Sequence, residues 1–126
     1  MIDRDRLRGA LIAEQTRFVA AHPRSQALFT SAQAHLLGGV PMSWMARWAG
    51  EFPVFVTEAS GAHFQDVDGN DYIDFCLGDT GAMTGHAPAA AVAAISAQVA
   101  RGSTLMLPTE DALWVGAELA RRFGLP

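Results

Sequence analysis

The 126-residue sequence contains no lysine. Its nine basic residues are all arginine, set against thirteen Asp and Glu for a net charge of −4. An all-arginine set is attributed to the base composition of the coding DNA and is given no functional weight. The missing lysine does have a chemical meaning: no side chain here can form a Schiff base with a carbonyl compound. Cysteine is nearly absent too. The single Cys76 allows no internal disulfide and no cysteine metal cluster, which fits a reducing compartment, and a cytoplasmic location is expected. No apolar run approaches the roughly 18 residues that a membrane span needs. The N-terminal "MIDRDRLRGALIAEQTRF" lacks the apolar centre of a signal peptide. The arginines are scattered, so nothing indicates nucleic acid as a partner. Half of the residues are hydrophobic, enough for the core of one domain of ordinary size.

Residues 3–21 read as an amphipathic helix, with Leu7, Leu11, Ile12, Phe18 and Val19 at roughly helical spacing and Pro23 closing it. A second helix is expected from Ser25, as its N-cap, to about Leu37, stopped by Gly38-Gly39. An irregular stretch, "VPMSWMARW", follows with Trp44 and Trp48, read as core or interface residues in preference to ligand-stacking ones. The pattern then becomes β-rich. "PVFVTE", "AHFQDV" and "DYIDFC" predict a three-stranded antiparallel meander, its second turn being Asp68-Gly69-Asn70. After the loop "LGDTGAMTGHA", Pro88 suits the first turn of an Ala-rich helix running to about Arg101. A second loop, "GSTLMLP", leads to a last helix capped by Thr109 and stopped by Gly124. Glu110 and Asp111 stand in its first turn and Arg121 and Arg122 in its last, as the helix dipole prefers.

The residues that could carry chemistry form no complete catalytic constellation. His86, after Gly85, reads either as an acid, base or ligand or as a histidine bonding locally at a helix start. No second His or Cys stands at metal-ligand spacing from it. His22, His35 and His63 are isolated and are read as structural or exposed. The acidic run Asp66, Asp68, Asp71, Asp74 fails the spacing of a calcium loop and reads as turn chemistry. "GDTGAMTG" lacks the lysine of a phosphate-binding loop and carries an acid, so it is either a substrate-facing loop or a plain connection. No metal site is expected.

The order of motifs carries a resemblance. "LLGGVPMSW", "FPVFVTEASGAHFQDVDGNDYIDF", a small-residue loop ending in "GHAP", and "GSTLMLPTEDALWVGAELARRF" together resemble the N-terminal part of class III pyridoxal-phosphate aminotransferases. The glutamate-1-semialdehyde aminomutase branch and the β-amino-acid transaminases are the most similar. The resemblance runs from about Gln26 to Phe123. It implies an α+β segment of a fold-type-I transferase that is α/β overall, with residues 1–75 in the small domain and 76–126 opening the cofactor domain. It implies pyridoxal phosphate as cofactor, a small-molecule amino donor and acceptor, and a homodimer. The lysine, the acid under the cofactor ring and the phosphate loop of that family lie further along. The chain is thus expected to be one piece of a longer enzyme, the rest of the same polypeptide being its first partner.

The same resemblance places the substrate side of the pocket on Met42, Ser43, Trp44 and Met45. It places residues that reach a neighbouring subunit's site on Ser103, Thr104, Leu105 and Met106. An aromatic residue often stands before the Gly-His of that family; here Asp79 or Thr80 stands there, a departure that puts the family's substrate identity in doubt. Two other readings stay open: a non-catalytic binding or dimerisation module derived from that fold, and a free-standing helical interaction domain.

Overall fold

The computed structural model describes residues 2–47 and 50–124. Trp48 lies outside them. The described chain holds four α-helices and a three-stranded antiparallel sheet in the order β1-β2-β3, the α+β pattern expected. It divides into two units, Met1–Pro88 and Ala89–Pro126.

In the first unit, Asp3 caps α1 (Arg4–Ala21), its carboxylate accepting the N–H groups of Asp5 and Arg6. Most of the apolar face expected for α1 stays exposed: Leu7, Leu11 and Ile12 face solvent, and packing begins only in the last turns, at the half-buried Phe18 and Val19. Pro23 sits at the start of α2 (Pro23–Ala32), where its missing N–H costs no hydrogen bond.

Ser25 is not the N-cap of α2. It lies inside the first turn, fully buried. The cap is Asp68, from the far hairpin turn, whose two carboxylate oxygens accept the N–H groups of Arg24 at 2.7 Å and Ser25 at 3.0 Å. Ser25 is then free to use its hydroxyl as an acceptor for the Phe55 N–H. The helix ends at Ala32, earlier than expected. Gly38 and Gly39 do turn the chain, at φ 71° and 73°, but in a separate 3-10 turn, Leu37–Gly39. A second 3-10 turn covers Ser43–Ala46.

The meander consists of β1 (Val56–Ser60), β2 (His63–Asp66) and β3 (Asp71–Ile73). Val56 pairs with Asp66 but Glu58 with Gln65, so Thr57 is an extra residue in β1. Its hydroxyl donates to the Asp66 carbonyl at 2.9 Å and compensates the break in the ladder. The Asp68-Gly69-Asn70 turn forms as expected, with Gly69 at φ 88°. What holds it is Asp66, 1% exposed, whose Oδ1 accepts the N–H groups of both Asp68 and Asn70 at 2.9 Å.

The core of this unit is aromatic and polar at once. Phe18 packs on Phe52 with centroids 5.0 Å apart, and Phe64 stacks on Tyr72 at 4.8 Å. Between them His22 is buried. Its Nδ1 donates to the Phe18 carbonyl at 2.6 Å, and its Nε2 meets the Tyr72 hydroxyl, also at 2.6 Å. That hydroxyl donates to Asp66 Oδ2 at 2.8 Å.

The second unit is a helix pair. The Ala-rich α3 (Ala89–Val99) is followed by α4 (Glu110–Phe123). Thr109 occupies the N-cap of α4 but makes no side-chain cap bond, and Gly124 ends the helix in the left-handed region at φ 63°. Arg121 and Arg122 both donate to Glu118 and hold its carboxyl below the usual range.

Candidate functional site

The loop between β3 and Pro88 begins from a fixed point. Asp74, just past β3, accepts the N–H groups of Cys76 at 2.9 Å and Leu77 at 2.8 Å on Oδ1. Its Oδ2 lies 2.6 Å from His86 Nε2. The bond from His86, and after it that from Leu77, keeps the Asp74 carboxyl below the ordinary carboxylate range. His86 is therefore neither a free acid-base group nor a purely local one: it spans twelve residues to close the loop. Its backbone is held as well, through a bridge to the β1–β2 turn in which the His86 N–H donates to the Gly61 carbonyl at 2.7 Å and the Gly61 N–H returns the bond at 3.0 Å. Gly85 makes this approach possible. It stands at φ 88°, and a Cβ there would lie 3.2 Å from the Gly61 Cα. The Gly-His pair is thus a latch.

Inside the latched loop the backbone is strained. Leu77, Gly78, Asp79 and Thr80 all have positive φ, at 50°, 60°, 53° and 80°. Such a run is costly for residues with a Cβ, roughly 1–2 kcal/mol each outside glycine. Runs of this kind persist where surrounding bonds over-determine them. Here those bonds are the Asp74 cap, Asp79 N–H to Cys76 O at 3.1 Å, and Ala82 N–H to Leu77 O at 2.8 Å.

The loop faces a cleft of about 590 Å³ lined by Met42, Trp44, Met45, Cys76, Gly78 and Asp79. The structure thus brings together two stretches that the sequence places more than thirty residues apart. Met42, Trp44 and Asp79 line the cleft; Ser43 and Thr80 are exposed and not among its lining. Trp44 and Met45 also border a smaller apolar cavity of about 190 Å³ with Val40, Pro41, Pro53, Val54 and Phe55. Ser103, Thr104, Leu105 and Met106 belong to the second unit, all exposed, with Met106 at φ 57°. There the Gln98 side-chain amide donates to the Gly102 carbonyl at 2.7 Å.

Sequence reading missed Cys76 as a cleft residue. It also missed the His22–Tyr72–Asp66 network, whose members are as far as 50 residues apart. Burial pushes Tyr72 far above the usual phenol range, and the Asp66 carboxylate adds to it. Burial also works to raise Asp66, but the bonds from Asn70, Tyr72 and Asp68 outweigh it and hold that carboxyl low. This is a structural charge, sealed under the turn. Among the described residues no three of His, Cys, Asp and Glu are grouped as a metal would need, and no helix is long and apolar enough to cross a membrane.

With that geometry in place, comparison with known proteins identifies the family. Residues 44–124 match the model of the class-III aminotransferases. A glutamate-1-semialdehyde 2,1-aminomutase of Chloroflexus aggregans is 46% identical over 90 residues, covering 71% of this chain and 20% of the relative. The crystal structure of a glutamate-1-semialdehyde aminomutase from Pseudomonas aeruginosa PAO1 superposes with a TM-score of 0.93 at 54% identity, over 99% of this chain and 28% of that one. A variant of that protein was solved in complex with PMP. A transaminase with PLP bound is 34% identical at a TM-score of 0.71, over 79% of this chain and 23% of that one. The chain therefore spans between a fifth and three tenths of the length of these relatives. At that match in sequence and backbone, the chain belongs to the class-III aminotransferase family.

Proposed function

We propose that this chain is the N-terminal part of a pyridoxal-phosphate-dependent aminotransferase or aminomutase. It acts on an amino acid or an amino-aldehyde or keto substrate. The observation that carries the reading is the backbone match to the Pseudomonas aeruginosa aminomutase over 99% of the chain at 54% identity. Residues 1–75 belong to the small domain and 76–126 open the large one, within a cytoplasmic homodimer. Met42, Ser43, Trp44, Asp79 and Thr80 stand on the substrate side. Ser103, Thr104, Leu105 and Met106 reach toward the partner subunit's site.

The residues present do not fit the cofactor by themselves. The sequence has no lysine to bond its aldehyde. The lining of the cleft has no cationic side chain to meet its phosphate. This chain's share of the work is to shape and charge the substrate wall, and the groups that hold the cofactor lie on other parts of the polypeptide.

Two measurements test this. The complete protein, purified with pyridoxal phosphate, is expected to move an amino group between an amino donor and a keto acceptor, or within one substrate; no turnover with any donor sinks the reading. The 126 residues alone, treated with the cofactor and borohydride, are expected to carry no adduct on any side chain, since only the terminal amine can react. A stable side-chain adduct on peptide mapping contradicts the assignment of the lysine to other parts of the polypeptide.

A further inference from the structure

Five aspartates lie between positions 66 and 79, and the structure spends four of them. Asp66 holds the hairpin turn and the Tyr72 hydroxyl. Asp68 caps α2. Asp71 accepts from the Gln65 side-chain amide. Asp74 holds the loop and His86. Asp79 differs: among the described residues its carboxylate has no hydrogen bond and no ion pair, and it lines the cleft. The chain reaches this arrangement through the four-residue run of positive φ, and Asp is one of the few residues that tolerates that region. The rest of the lining that this chain supplies is one indole, two thioethers, a thiol and a glycine, with no cation.

A lone carboxylate in a soft, aromatic wall has a definite chemical complement. An anionic group is repelled, a neutral donor gains one charge-assisted hydrogen bond, and a cation gains an ion pair together with the face of an indole ring. We infer that this cleft receives a cationic arm of the substrate, an ammonium or guanidinium other than the amine that reacts, with Asp79 as counter-ion and Trp44 as its aromatic face. The inference rests on the aminotransferase reading for the word substrate, and on the cleft alone for the charge it selects.

Three five-carbon donors separate the possibilities in the complete enzyme: ornithine with a cationic end, norvaline with a neutral one and glutamate with an anionic one. Native enzyme is expected to favour ornithine over norvaline in kcat/KM and to disfavour glutamate. Asp79→Asn keeps shape and tolerance of positive φ, so the fold is retained. It is expected to cut the ornithine-to-norvaline ratio by about tenfold, the scale of one charge-assisted hydrogen bond, and Trp44→Leu to cut it by less. A ratio unchanged within about twofold in Asp79→Asn overturns the inference. A binding readout keeps this separate from catalysis. Choline cannot condense with an aldehyde, and 3,3-dimethylbutanol is its uncharged carbon analogue. By calorimetry on the cofactor-loaded enzyme, choline is expected to bind several-fold tighter than the alcohol, and equally in Asp79→Asn. If no donor is turned over, the aminotransferase reading falls while the choline comparison still decides the cleft. A preference for choline that survives Asp79→Asn, or no preference in the native enzyme, removes Asp79 as the counter-ion.

Discussion

A methyl group on residue 85 would sit 3.2 Å from the Gly61 Cα and 3.3 Å from its carbonyl oxygen, both backbone atoms of a tight turn that cannot yield cheaply. The same residue stands at φ 88°, where a side chain is strained whatever the space. Gly85→Ala is therefore expected to destabilise the complete protein by about 1–3 kcal/mol. It also loosens the hold of His86 on Asp74, so the loop at the cleft loses part of the bonding that closes it. A denaturation midpoint of Gly85→Ala that matches the native one would refute the latch. The sequence shows a Gly-His before a helix but not why residue 85 must be glycine, because the turn it touches lies 24 residues earlier.

At the scale of elements, what could be read from the sequence was whatever is local. The Asp68-Gly69-Asn70 turn, the order of the meander, the start of α4 at Thr109 and its left-handed stop at Gly124 all depend on neighbours within a few positions. The N-terminus of α2 does not. Its cap comes from Asp68, 43 residues away, and no pattern within the helix announces it. Serine is a preferred cap type, which favours Ser25, whereas Pro23 at the start of the helix leaves Ser25 inside the first turn. Once an outside carboxylate takes the N–H groups, the serine is drawn inward. The cleft behaves in the same way: the resemblance pointed to Met42, Trp44 and Asp79, but only folding shows that Cys76 joins them while Ser43 and Thr80 stay outside the lining. Acid should act on this scale. The hydrogen bonds that Asp66, Asp68 and Asp74 accept outweigh burial and hold all three carboxyls below the ordinary carboxylate range. A depressed carboxyl contributes stability that is complete above its unfolded pKa of about 4 and is lost as pH falls through the folded value. The complete protein is thus expected to keep its hairpin contacts down to about pH 4 and lose stability steadily below it. Asp68→Asn should flatten that loss and lower stability at pH 7, since an amide caps α2 without the charge. An acid profile of Asp68→Asn that matches the native one, measured by unfolding midpoints between about pH 2 and 7, would remove Asp68 as a titrating cap.

At the scale of the molecule, the apolar surface is out of proportion to the core. Among the described residues only Val40 and Phe52 are buried large hydrophobics. Leu37, Phe75 and Met106 are each more than 90% exposed, and Val56 and Ile73 present over half their surface from the meander. The second unit repeats the pattern: Val92, Ile95 and Val99 on α3 and Leu113, Trp114 and Phe123 on α4 are all exposed. Two helices with such faces and a small meander bury too little by themselves to offset the entropy of ordering the chain. Exposed apolar side chains in this number favour association. On the proposed function, whose relatives are several times longer, the cover would be the rest of a longer polypeptide. The 126 residues expressed by themselves are therefore expected to aggregate or to melt without a cooperative transition. Addition of the rest of the polypeptide, in one chain or in trans, should restore a sharp transition. Light scattering and a thermal melt at several concentrations decide the point. A monodisperse monomer with one cooperative transition would mean that these exposed residues are a tolerated surface, and would favour a free-standing interaction domain over a substrate wall that needs the rest of its enzyme.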